Sequence, residues 1–174
     1  MRNSMLMKGL LTVVAAFGFA GAAFAQQSQI TSELQVQRVE NVDGQTVFKS
    51  AQASKPGDVL EYRVSYTNHS KSAVTGLVAN LPIPTGTTLV DRSQIPPDAL
   101  ASTDGATFAP VPLMRTVKLA DGSQRSVLVP LEEYRALRWN LGTLPAGAAK
   151  VVQARVRVND VPKSAAAAPG QPTG

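Results

Sequence analysis

From Val59 to Thr67 every second residue is apolar: Leu60, Tyr62, Val64 and Tyr66 alternate with Glu61, Arg63, Ser65 and Thr67. A two-residue period puts the two sets on opposite faces of a strand, one buried and one wet, as in an antiparallel sheet. Val152, Ala154, Val156 and Val158 repeat the pattern between Gln153, Arg155 and Arg157, and Leu137, Trp139 and Leu141 repeat it again. Leu34 and Val36 begin a first strand whose phase breaks at Val39, which predicts a bulge or bend near Arg38. Residues 74–81 and 127–129 are further candidate strands. Turn-makers punctuate these runs, among them Asp43-Gly44, Pro56-Gly57-Asp58, Asn68-His69-Ser70 and Asp121-Gly122. No stretch after the first 25 residues has a helical period, and residues 130–136 predict one turn of helix at most. The expected class is all-β, an antiparallel sandwich of about seven or eight strands.

The first 25 residues read differently. Arg2 and Lys8 precede an uncharged apolar run, and Ala23-Phe24-Ala25 offers small residues where a signal peptidase cuts, so a cleavable export signal is expected over residues 1–25. The run is too short and too glycine-interrupted for a membrane span. Export would leave 149 residues, the size of one domain, with the sandwich over 26–161 and an Ala/Pro/Gly tail over 162–174 expected to stay disordered. Without the signal, 15 basic residues face 12 acidic ones, so the net charge of +5 falls to +3. These charges are scattered, whereas a nucleic-acid reader needs a clustered basic face. The chain has no cysteine. Disulfides and a lipidated N-terminus are therefore excluded, and packing alone must hold the domain.

Catalytic patterns are sparse. One histidine and no cysteine make zinc, copper and haem sites improbable, and no cofactor is expected. His69 lies in an expected hairpin loop, where it reads as a solvated side chain. A serine triad would need it as base, and no serine sits in a nucleophile elbow. Glu132 and Glu133 are adjacent and on a strand would point to opposite faces. Asp104 and Asp121 each precede glycine, as turn aspartates do. Loop aspartates Asp91, Asp98 and Asp104 could serve calcium, which takes oxygen ligands with loose spacing, although no calcium-loop motif is present. Trp139, the only tryptophan, lies on an apolar face and reads as core.

Three segments together resemble a bacterial conserved-repeat family, domain of unknown function eleven. They are Pro56-Gly57-Asp58-Val59-Leu60-Glu61-Tyr62-Arg63-Val64-Ser65-Tyr66-Thr67-Asn68, then Leu81-Pro82-Ile83-Pro84-Thr85-Gly86-Thr87-Thr88-Leu89-Val90, then Arg138-Trp139-Asn140-Leu141-Gly142-Thr143-Leu144-Pro145-Ala146-Gly147. Leu81 stands where many members carry an acidic residue. The resemblance implies an immunoglobulin-like fold and a location in the periplasm or at the cell surface of a bacterium; it implies no catalytic residues.

The expected role is a non-enzymatic structural or protein-binding module with partners in the cell envelope, no nucleic-acid partner and no membrane span after signal cleavage. Residues 91–112 hold Pro96, Pro97, Pro110 and Pro112, which suit a long connection with one edge strand around 106–108. Asp104, Phe108, Pro110 and Pro112 are the candidate binding edge. A periplasmic assembly factor is the alternative, with Arg155 and Arg157 as an outward basic pair that could grip a client chain end. A glycan hydrolase ranks below both. Nothing in the sequence sets an oligomeric state.

Overall fold

A computed structural model describes residues 29–160; the expected export signal and tail lie outside this range. Within it the chain is nearly all β, with eleven strands and one short 3-10 turn at Leu131–Glu133. The first sheet is antiparallel, in the order β2 (Gln45–Ser50), β1 (Ile30–Val42), β3 (Val59–Asn68), β11 (Ala149–Val158), β5 (Thr87–Leu89). The second has the order β4 (Val74–Pro82), β10 (Ala136–Leu144), β6 (Leu100–Ser102), β7 (Ala109–Pro110). Strands β8 (Met114–Lys118) and β9 (Gln124–Leu128) form a two-stranded hairpin outside both sheets. The excess over seven or eight strands lies in short segments whose alternation is too brief to read.

The two larger sheets share one core. Leu60, Val64, Val152, Ala154 and Val156 from the first meet Ala79, Leu81, Ala101, Leu137 and Trp139 from the second. Trp139, with 1% of its surface exposed, sinks its ring here while its indole N–H donates to the Pro96 carbonyl at 2.8 Å. An aromatic of that size removes about 200 Å² from water, worth about 5 kcal/mol before ordering costs. The backbone carbonyl satisfies the one polar atom that would make the burial costly.

Local chemistry sets the turns. Asp43 and Gly44 both have positive φ, 52° and 79°, the two-residue hairpin loop that matches strand twist between β1 and β2. Gly142, at φ 63°, lies between the two register shifts in the β10–β4 ladder. Asn68 ties together the end of the core. It is fully buried, and its side-chain NH₂ donates to the carbonyls of Ser72, Leu144 and Pro145 while its Oδ1 accepts from the Ser70 N–H and hydroxyl.

Two expectations need correction. Of the bulge or bend expected near Arg38, the bulge is absent: β1 pairs with β3 in unbroken register from Ile30 to Val39. The phase breaks because the strand runs off the core. Arg38 takes the inward position opposite Leu60, bonded to Glu40 at 2.8 Å, and Val39 turns outward beside Phe48 of β2. The expected edge strand at 106–108 sits instead at Ala109–Pro110, where Pro110 pairs with Leu100 at the rim of the sheet. Residues 104–107 form a loop held by Asp104, which keeps them out of the ladder.

Candidate functional site

The chain after β6 folds upward from Asp104. Its Oδ1 accepts from the Ser102 hydroxyl at 2.7 Å and from the Ala106 and Thr107 N–H groups at 2.8 Å each. These donors, the Ser102 hydroxyl foremost, hold its carboxyl far below the usual carboxylate range. Phe108 follows, half-buried, with the Arg138 guanidinium 3.6 Å above its ring centroid. Arg138 is fixed in turn by donating from Nε to Asn80 Oδ1 at 2.8 Å. β7 then leads through Val111 and Pro112 into the hairpin.

That hairpin is the most exposed part of the region. Met114 and Leu128 face each other across its base, 52% and 62% exposed. Exposed apolar side chains paired on a projecting arm are a common mark of a contact surface. Behind the arm the backbone is anchored: the Leu113 N–H donates to the buried Tyr134 hydroxyl at 2.8 Å, and the Val129 N–H to the Leu113 carbonyl at 2.9 Å. Arg115 reaches back to Glu133 at 2.6 Å.

Two clefts flank this base. One, of about 350 Å³, is walled by Val111, Pro112, Leu128, Leu131 and Tyr134 and contains Gln94. Gln94 is 7% exposed, and its Oε1 is buried without a hydrogen-bond partner among the described residues. The other, of about 330 Å³, runs from Asp104 and Thr107 to Met114, Arg115 and Glu133. Val129 borders both.

The four candidate edge residues are therefore neighbours in the chain but not one surface. Asp104 borders one cleft and Pro112 the other, Phe108 lies under Arg138, and Pro110 is exposed on β7. Arg155 and Arg157 share the outward face of β11, as their spacing requires, but both are engaged. Arg155 Nε donates at 2.9 Å to Glu61, whose side chain is 6% exposed, and Arg157 donates to the Gly57 carbonyl at 3.1 Å. Nor is β11 a free edge: the Ser93 hydroxyl accepts from the Arg155 N–H, and Ile95 exchanges hydrogen bonds with Gln153. Asp91, Asp98 and Asp104 border separate clefts. No group of three or more histidine and carboxylate side chains among the described residues could hold a metal ion. Exposed His69 shares a 2.8 Å hydrogen bond with Thr31.

Strand β8, Gln94 and Tyr134 escape sequence reasoning, whereas residues 127–129 already mark part of β9. A signal for the arm exists in Asp121-Gly122, a hairpin dipeptide between two strand-length segments. Gln94 carries none, since its burial depends on elements far away in the chain. No family model, curated protein or solved structure matches this chain. Among the described residues no helix is long and apolar enough to cross a membrane.

Proposed function

We propose that this is an exported, non-enzymatic, immunoglobulin-like β-sandwich that binds protein partners in the bacterial cell envelope, and that the β8–β9 arm is its contact surface. The observation that carries the reading is the pair Met114 and Leu128, both more than half exposed at the base of an arm that belongs to neither larger sheet. Aliphatic side chains held on an anchored hairpin lose little conformational freedom on binding, so burying them yields net affinity. Three of the carboxylates have structural uses: Glu133 holds Arg115, Asp104 its loop and Asp121 the hairpin turn through Ser123. The family resemblance supports the immunoglobulin-like topology and the exported location.

The test uses the full chain expressed with an affinity tag and cross-linked in cells before envelope proteins are recovered. The parent should retain a specific cross-linked partner. Leu128→Asp combined with Met114→Asp should lose it while the melting temperature stays within about 3 °C, because both side chains already face solvent. Undiminished recovery of that partner by the variant would refute the arm as the surface.

A further inference from the structure

A second surface lies at the opposite edge of the second sheet, along β4, where a strand is missing. Val64 and Tyr66 of β3 pack in the same core as Ala79 and Leu81 of β4, and only five residues join the two strands, so β3 lies over β4. The first sheet continues beyond β3 through β1 and β2, whereas the second stops at β4. The inward face of β1 therefore overhangs open space at Leu34, while Val36 still packs against the core. Leu34 shows this directly. Its cross-strand partner Val64 is 7% exposed and faces the core, so Leu34 faces the same way, yet it is 55% exposed.

The edge beneath is open for pairing. The Ile83 N–H bonds to the Arg135 carbonyl, so in this antiparallel register the odd-numbered residues 79 and 81 bond towards β10. Val78 and Asn80 then direct their backbone groups away from it. β4 also carries no charged residue along its nine positions, although charged side chains are a usual guard on exposed edges.

We infer that β4 accepts one extended strand from a partner protein, which completes the second sheet beneath β1. The geometry selects this occupant over a second copy of the chain. Antiparallel pairing of two β4 edges keeps both first sheets on the same side, so the β3 and β1 of the second copy would collide with the overhanging β1 and β2. A lone strand has no such layer. Its inward side chains would alternate under Leu34 and Val36, which favours small or β-branched apolar residues there. A polar residue is favoured two positions further on, where Arg38, Glu40 and Lys49 form an ion-paired group. This surface is independent of the hairpin arm, so either can fail alone.

The probe is a panel of synthetic peptides of about ten residues, alternating valine with threonine and flanked by lysines, each with a counterpart carrying a central proline. Binding to the full chain is followed by titration and by residue-resolved amide exchange. Alternating peptides should slow exchange at Val78 by at least about tenfold and leave the β2 and β7 edges unchanged, and the proline counterparts should do nothing. Val78→Pro, which removes an outward N–H and no ladder bond, should weaken binding at least about tenfold, equal to about 1.4 kcal/mol. Leu34→Asp, at a position that already meets solvent, should do the same and covers the case in which the proline variant fails to fold. The inference is overturned if no peptide protects Val78, if protection falls on another edge, or if folded variants bind as tightly as the parent.

Discussion

Replacing Asn68 by alanine tests how the closed end of the core is held. Its two amide protons serve three carbonyls, those of Ser72, Leu144 and Pro145, at 2.8–3.1 Å, and its Oδ1 accepts from Ser70 at 3.0 and 2.7 Å. The Leu144 carbonyl is the costly partner to strand, because its bond to Asn68 is buried and water cannot replace it. Leaving it unmade costs about 1–3 kcal/mol. The other bonds are half-buried, and water recovers most of each, leaving about 1–2 kcal/mol between them. Removing a fully buried side chain adds about 1 kcal/mol for the cavity. The expected loss is about 3–6 kcal/mol, a large part of the stability of an ordinary domain, and about 10–25 °C in melting temperature. Urea unfolding followed by Trp139 fluorescence measures it, since the only tryptophan moves from a buried site into water. Ser70→Ala, which leaves all three carbonyl contacts intact, should cost no more than about 1 kcal/mol. If Asn68→Ala is itself within about 1 kcal/mol of the parent with an unchanged denaturant slope, water or loop relaxation replaces the side chain and the reasoning is wrong.

Two further outcomes follow from charges. Arg155→Ala leaves the Glu61 carboxylate nearly buried without its partner, and the half-open arginine limits the expected loss to about 1–3 kcal/mol. Adding Glu61→Gln should restore part of it in a double-mutant cycle by chemical denaturation, and strictly additive losses would sink the pairing argument. Glu40, Asp104 and Asp121 all have carboxyls held below their ordinary range, by hydrogen bonds from Lys49, Ser102 and Ser123 respectively. A depressed folded value gives stability that is present above the unfolded carboxylate range, near pH 4, and lost as pH falls through the folded value. The melting temperature should thus drop on acidification below about pH 4. Asp104→Asn, which cannot titrate, should make that drop shallower, and an unchanged acid profile would show that Asp104 contributes nothing to it.

The sequence by itself determined the strands whose pattern is long enough to read. Alternation in β3 and β11 separated core from solvent, because a pleated strand has no other way to present its side chains. The same logic placed Trp139 inside, decided by its immediate neighbours. Tertiary structure decided everything that depends on what lies opposite. Glu61 sits on the outward face yet is 5% exposed, because Arg155, 94 residues later, closes over it. Leu34 holds an inward position yet is more than half exposed, because the second sheet ends before reaching it. Both departures have one cause: a strand's pattern tells which side of the sheet a residue occupies, and only the packing of other elements tells whether that side is covered.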